Sequence, residues 1–81
     1  MQVTVNFFSY LRPITGTDQI SVELTEKATV ADLMKWLERK FDGLSIKDEQ
    51  TSIMVNHKIV FPHTVLKESD QVLLLPIMEG G

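Results

Sequence analysis

The sequence predicts an α+β domain in which one helix packs on one face of a mixed sheet. Apolar residues alternate with polar ones in two segments before residue 25 and in short segments after residue 50, whereas between residues 30 and 41 they recur every three or four positions. Alternation is typical of half-buried strands, and the longer spacing is typical of an amphipathic helix. The predicted element order is therefore β-β-α-β-β-β.

The first two predicted strands form a hairpin. In the first, Val3, Val5 and Phe7 alternate with their neighbours, and in the second Ile20, Val22 and Leu24 face inward. Residues 11–18 contain a proline and a glycine, so we expect the chain to turn between the strands.

The predicted helix has a clear apolar face and signals at both ends. That face consists of Val30, Leu33, Met34, Leu37 and Phe41. Thr29 and Asp32 have the spacing of a capping box, although Glu or Gln is more usual at the second position. Gly43 is placed to end the helix in a left-handed conformation.

Three more strands are predicted after a polar loop over residues 44–50. Ile53 and Val55 define the third strand, a turn over residues 56–58 leads to a short fourth strand over 59–61, and a loop over 66–70 precedes a last strand over 71–76. Placing the first and last strands side by side and parallel at the centre gives the ubiquitin-like β-grasp. We therefore expect a β-grasp domain over residues 1–76 and a flexible tail over residues 77–81.

Composition excludes several classes of function. The 81 residues include 8 basic and 11 acidic side chains, a net charge of −3, and no cysteine. A nucleic-acid binder would carry a basic excess, and disulfides and thiolate nucleophiles need cysteine. No segment is typical of a signal peptide or long enough to cross a membrane, so we expect a soluble, cytoplasmic protein.

No pattern indicates an active site within the chain itself. His57 and His63 lie in predicted turns without other ligands nearby, so we expect them to be solvated and expect no metal site. Phosphate-binding, dinucleotide-binding and hydrolase motifs do not occur. We expect the protein to catalyse nothing alone.

The C-terminal residues and one sheet face favour a function in binding and transfer. Gly80 and Gly81 form a thin thread ending in an unhindered carboxylate, which could enter a narrow channel of another protein, and Pro76 directs that thread away from the body. Strand alternation turns Phe8, Leu73 and Leu75 outward near this exit, where they could form an interaction patch that Ile59, on the neighbouring short strand, could extend. The alternative is that one or two of them belong to the core.

The residues resemble the MoaD/ThiS family of β-grasp sulfur carriers, and most closely the small subunit of molybdopterin synthase. The resemblance covers essentially the whole chain, from Phe7-Phe8, Leu11-Arg12 and Gly16-Thr17-Asp18 through Thr29-Val30, Asp32-Leu33 and Val55-Asn56 to Leu66, Asp70, Val72, Pro76 and Gly80-Gly81.

This resemblance implies a specific chemistry and specific partners. An E1-like adenylating enzyme would use ATP to convert the carboxylate of Gly81 into an acyl-adenylate and then a thiocarboxylate, with no cofactor bound to the chain. The tail that reaches the partner's active site would comprise Met78, Glu79 and Gly80. The family's partner-binding positions correspond to Phe8, Ile59 and Leu75, and the acceptor would be the synthase large subunit, which builds the dithiolene of the molybdenum or tungsten cofactor.

Other functions remain open from the sequence. The sulfur could instead serve thiamine, thionucleoside or cysteine synthesis. The same activated glycine could form isopeptides, as in a ubiquitin-like modifier, or the chain could be a plain interaction domain whose terminal glycines are accidental.

Overall fold

The computed structural model describes residues 1–8, 11–44 and 51–76. It contains the following elements: β1 Gln2–Phe7, α1 Leu11–Thr15, β2 Gln19–Glu23, α2 Val30–Lys40, β3 Thr51–Val55, β4 Lys58–Ile59 and β5 Gln71–Pro76. Within these ranges no helix has the length and apolar content needed to cross a membrane.

The five strands form one mixed sheet in the order β2-β1-β5-β3-β4. β1 and β5 pair in parallel at the centre, with Val5 opposite Val72 and Phe7 opposite Leu74, while the other pairs are antiparallel. With α2 on one face, this is the ubiquitin-like β-grasp, and the predicted fold class is confirmed.

The core lies between α2 and the inner face of the sheet. Most of its fully buried side chains come from alternate strand positions and from one face of α2: Val3, Val5, Phe7, Val22, Val30, Leu33, Leu37, Val72 and Leu74. Leu11 and Leu66, outside the strands and α2, complete the set. The Phe7 ring meets the Phe41 ring edge to face, with centroids 5.7 Å apart. Because the core-facing strand residues are fixed in this way, the intervening residues face outward.

The predicted capping box is present at the start of α2. The backbone N–H of Asp32 donates to Thr29 Oγ1 at 3.3 Å, and the backbone N–H of Thr29 donates to Asp32 Oδ2 at 2.9 Å. The hydrogen bond from the Thr29 backbone N–H to the carboxylate, with a smaller contribution from the Thr29 side chain, favours the ionised form and lowers the pKa of Asp32. Aspartate thus closes the box in place of the more usual glutamate.

The segment between β1 and β2 contains a short helix that the turn prediction missed. Leu11, which is fully buried, anchors α1 to the core, and Pro13 is tolerated because first-turn N–H groups have no acceptor within the helix. Gly16 follows with a φ of 74°, and its N–H donates to the Arg12 carbonyl oxygen. A single helical turn is too short to show a 3.6-residue period.

Two predicted boundaries also move. α2 ends at an extended Phe41 C-cap, and Gly43, although left-handed with a φ of 87°, lies two residues further on. β4 covers Lys58–Ile59 and stops before Phe61, whose N–H donates to Thr64 Oγ1 instead of joining the sheet. Leu44, predicted to begin a polar loop, is buried in the core, and residues 45–50 lie outside the described ranges.

A polar network joins the β3–β4 turn to the turn before β5. Asn56 and His57 adopt positive φ values, as a two-residue hairpin turn requires. The Asn56 side-chain amide donates to Asp70 Oδ1 at 2.9 Å, and the Lys67 backbone N–H donates to Asp70 Oδ2 at 2.8 Å. Asp70, only 8% exposed, therefore has partners for both carboxylate oxygens.

Candidate functional site

The outer face of the sheet carries an apolar row that crosses three neighbouring strands. Leu73 on β5 lies opposite Met54 on β3, and Met54 lies opposite Ile59 on β4. Directly paired residues point to the same side of a sheet, so these three side chains are neighbours. Leu75, two residues beyond Leu73, faces the same side. We call Leu73, Leu75, Met54 and Ile59 the outer apolar patch.

The rest of the outer face is polar. Thr4 on β1 lies opposite Gln71 on β5, and the Asn6 side-chain amide donates to the Val72 carbonyl oxygen at 3.2 Å. Gln19 on β2 donates in turn to Asn6 Oδ1 at 2.8 Å. The outer face thus changes from polar to apolar across the sheet, and along β5 from Gln71 toward the carboxyl end of the strand.

Exposure differs within the outer apolar patch. Ile59 is 72% exposed on the edge strand, whereas Leu73, Leu75 and Met54 are half-buried by their neighbours. None of the four belongs to the buried core, so for the three predicted residues among them the outward orientation is confirmed. Apolar side chains grouped in this way on a small domain are typical of a protein-binding surface.

Met54 was missed by the sequence analysis, although a signal for it was present. In the sequence, Ile53 and Val55 define the third strand, and strict alternation between them turns Met54 outward. The structure places Ile53 against the core and buries Val55, as that alternation requires.

Phe8 lies beyond the end of its strand and, contrary to the prediction, is not grouped with Leu73 and Leu75. β1 ends at Phe7, and the Phe8 N–H donates to the Leu74 carbonyl oxygen at 3.3 Å, which continues the parallel hydrogen-bonding pattern. Its half-buried side chain lines a surface cleft together with Asn6, Phe7, Arg12, Asp18 and Gln19. Phe8 is therefore not part of the core, and it borders the polar side of the outer face.

The patch lies toward the carboxyl end of β5, from which the chain continues into the predicted tail. β1 and β5 are parallel, so Phe8 and the carboxyl end of β5 lie at the same edge of the sheet. The tail residues Met78, Glu79, Gly80 and Gly81 lie outside the described residues.

The chemistry of this face is that of binding. Its central row consists of Asn6, Leu73, Met54 and Ile59, which carry no side chain that exchanges a proton or attacks an electrophile near neutral pH. His57 and His63 are exposed as expected, and the His63 ring stacks on that of Phe61. The patch offers apolar surface that binding to another protein would bury.

Comparison with known proteins identifies the family. The ThiS family model matches residues 5–81. The chain is 29% identical to small archaeal modifier protein 3 of Haloferax volcanii over the whole length of both proteins. It is 30% identical to the molybdopterin synthase sulfur carrier subunit of Drosophila erecta, with all of this chain and 92% of the relative covered.

A solved structure shows a similar chain beside another protein. In the complex of subunits 1 and 2 of the molybdopterin-converting factor from Helicobacter pylori, one chain superimposes on this one with a TM-score of 0.71, at 26% identity and with full coverage of both chains. The match to the family model spans nearly the whole β-grasp and reaches residue 81. The chain therefore belongs to the ThiS family, the β-grasp sulfur-carrier family that its sequence resembles.

Proposed function

We propose that this protein is a sulfur carrier whose Gly81 is converted to a thiocarboxylate and donates sulfur for the synthesis of molybdopterin. The observation that carries the proposal is the ThiS family match, which extends through Gly81. The similarity over full length to a molybdopterin synthase sulfur carrier subunit favours molybdopterin as the product.

The proposed reaction takes place on the terminal carboxylate. A carboxylate oxygen of Gly81 attacks the α-phosphorus of ATP and releases pyrophosphate, giving an acyl-adenylate. The terminal sulfur of a persulfide attacks the carbonyl carbon and AMP leaves. A second thiol then cleaves the resulting sulfur–sulfur bond, so that the thiocarboxylate remains on Gly81 and a disulfide forms on the donor. Adenylation is needed because a free carboxylate is a poor electrophile.

The outer apolar patch supports this proposal because the reaction needs one surface of the carrier for binding its partners and a separate tail for the chemistry. The activating enzyme and the sulfur acceptor would each hold Leu73, Leu75, Met54 and Ile59, with Phe8 at the border, while the tail enters an active site. Burying apolar side chains contributes affinity without catalytic groups on the carrier itself. The complex of two converting-factor subunits from Helicobacter pylori supports a large subunit as the acceptor.

The direct test is the intact mass of the protein after incubation with an E1-like activating enzyme, ATP and a persulfide donor. We expect a gain equal to the replacement of one oxygen by sulfur, localised to Gly81 by fragmentation. A variant lacking Gly81 is the control and should show no gain. Absence of the gain with several activating enzymes that charge other ThiS-family carriers would contradict the proposal.

The acceptor is tested separately. The charged protein is mixed with a molybdopterin synthase large subunit and the cyclic pyranopterin precursor, and dithiolene formation is followed together with the return of Gly81 to a carboxylate. If the thiocarboxylate forms on Gly81 but its sulfur is not transferred to this acceptor, the protein is still a sulfur carrier, and molybdopterin is excluded as the product. Thiamine, thionucleoside and cysteine synthesis would then be tested with their own acceptors.

A second function, protein modification, is favoured by the full-length similarity to small archaeal modifier protein 3. In this case a lysine amine would displace AMP from the adenylated Gly81 and form an isopeptide. Immunoblots of cells that express the tagged protein would show a series of conjugates, which should vanish when Gly80 and Gly81 are deleted. A single unconjugated band, both with the full-length protein and with the variant that lacks Gly80 and Gly81, would exclude this function.

A further inference from the structure

A basic cleft lies on the helix side of the molecule, away from the outer apolar patch. It has a volume of about 460 Å³ and is lined by Leu24, Asp32, Lys35, Trp36, Arg39 and Lys40. Leu24 comes from the segment after β2, and the other five residues come from α2. Val30, Leu33 and Leu37 face the core, and the cleft lies beside them, at the flank of α2 where Trp36 and Leu24 pack against the core.

The cleft is positively charged although the protein as a whole is acidic. Three cations and one carboxylate line it, which leaves two net positive charges, against a net charge of −3 for the chain. The carboxylate, Asp32, already accepts the N–H of Thr29 in the capping box. The helix dipole favours Arg39 and Lys40 in the last turn, but it does not account for Lys35 or for the tryptophan between these cations.

The floor of the cleft is apolar. Trp36 and Leu24 are half-buried and pack against the core, and Lys40 Nζ lies 6.0 Å from the centre of the Trp36 ring. A small inorganic anion would use the cations but leave this floor uncovered. A polypeptide that carries both acidic and apolar side chains would use both.

The spacing of the cations matches an extended peptide. Lys35 and Arg39 are four residues apart on α2, which places their Cβ atoms about 5–6 Å apart. Alternate residues of an extended chain lie on the same side at a separation of about 6.6 Å. Carboxylates at alternate positions could therefore meet both cations.

We propose that this cleft binds an extended acidic segment of a partner protein, with an apolar side chain of that segment on Trp36. The inference does not depend on the sulfur chemistry. Since the sheet and the body of α2 separate the cleft from the outer apolar patch, a partner at one surface leaves the other uncovered. The protein could thus be tethered through α2 while an enzyme holds its outer face and tail.

Trp36 is the only tryptophan in the chain, so its fluorescence reports on this cleft alone. The probe is the peptide Glu-Ser-Glu-Ser-Phe, blocked at both ends, whose two carboxylates and ring lie on one side when the peptide is extended. The control is its isosteric amide Gln-Ser-Gln-Ser-Phe. We expect the acidic peptide to change the Trp36 emission in a saturable way, because a carboxylate draws Lys40 away from the ring. The affinity should fall as salt is added, since the cleft is open to solvent.

Charge reversal then tests the location. The double variant Lys35→Glu, Arg39→Glu should lose at least roughly tenfold in affinity, because like charges would face each other. Lys58→Glu makes the same kind of change at a lysine on β4 that does not line the cleft, and it should retain the affinity within about twofold once salt screens distant charges. Circular dichroism and urea unfolding confirm that the variants are folded.

Several outcomes would overturn the proposal. Equal responses to the acidic and the amide peptides would remove the role of charge. Saturation by inorganic phosphate at the same concentration would assign the cleft to small anions, and a response only to vesicles containing phosphatidylserine would assign it to membranes. Loss of peptide binding in Ile59→Asp would place the site on the outer face instead. Each result is independent of whether Gly81 accepts sulfur.

Discussion

Met54 lies directly opposite Leu73 on the antiparallel neighbour of the central strand, and the two form the middle of an apolar row that ends at Ile59. On the other side of Leu73, the paired residue is Asn6, whose side chain is occupied by hydrogen bonds to Gln19 and to the β5 backbone. The apolar surface therefore stops at β5, and a partner that buries it must approach over β3, β4 and β5.

The exposed end of the row should contribute to partner binding but little to stability. We expect Ile59→Asp to weaken binding to the activating enzyme or the large subunit by about 1–3 kcal/mol. The free energy of unfolding should change by less than about 0.5 kcal/mol, because the side chain is already 72% exposed. Calorimetric titration and urea denaturation measure the two quantities.

The control for Ile59→Asp is Lys58→Asp, at the neighbouring residue of the same short strand. It changes the charge by −2 where Ile59→Asp changes it by −1, so it is a stringent test for a general effect of charge. It should reduce binding less than Ile59→Asp does. If both substitutions weaken binding equally, the effect is a general one of negative charge on β4, and the row is not the contact surface.

Phe8 should also contribute more to binding than to folding. It is half-buried beyond the end of β1 and lies outside the core. We expect Phe8→Ala to lower partner affinity by about 1–3 kcal/mol. The same calorimetric and urea experiments check this, and unchanged affinity with a clear loss of stability would show that Phe8 acts as a core residue.

Neighbouring leucines on β5 should differ sharply in their effect on stability. Leu74 is fully buried between the sheet and α2, whereas Leu73 faces outward and is half-buried. Leu74→Ala should lower the free energy of unfolding by about 2–5 kcal/mol, because it leaves a cavity in a packed core. Leu73→Ala should cost clearly less. Equal losses in urea denaturation would contradict the alternation of β5.

Asp70 should contribute to stability through its two hydrogen bonds. Asp70→Ala leaves the Asn56 side-chain amide and the Lys67 backbone N–H without their acceptor, so we expect a loss of about 1–3 kcal/mol. Asp42→Ala, at an exposed position after α2, removes the same charge and should change stability by no more than about 0.5 kcal/mol. Similar losses in thermal and urea unfolding would assign the effect to net charge.

The capping box should make stability depend on acidity. The folded-state pKa of Asp32 is lowered below its ordinary value of 3.8, so its contribution is present above that value and is lost as the pH falls through the folded pKa. Asp32→Asn should therefore be less stable than the wild type at pH 7, and the difference should shrink in acid. Urea unfolding of both proteins across this range provides the measurement.

Thr29→Ala removes the other half of the same box and provides a second check. It should cost about 1 kcal/mol at neutral pH, as is typical for loss of a Thr N-cap.

The Asp32→Asn experiment has its own contradicting outcome. If the difference in the free energy of unfolding between the wild type and Asp32→Asn persists unchanged at the lowest pH, the ionised carboxylate is not what stabilises the start of α2.

Much of the fold could be predicted because its signals are local. Which side chains are buried is indicated by the alternation in β1, β2 and β5 and by the 3.6-residue period of α2. The capping box needs only two residues, Thr29 and Asp32, that are close together in the sequence. The short helix α1 and the burial of Leu44 could not be predicted in the same way. One helical turn has no measurable period, and a lone leucine beside a polar segment is buried only because a distant surface covers it.

The candidate site likewise has a part that local patterns predict and a part that depends on the tertiary structure. The sequence by itself determined that Leu73 and Leu75 face outward, because a strand alternates sides at every residue. Only the tertiary structure decided that Met54 joins them in one row and that Asn6 ends the apolar surface, since strand order and register bring together residues far apart in the chain. It also decided that Leu24 meets α2 to form the basic cleft, because packing between distant elements creates surfaces that no local pattern encodes.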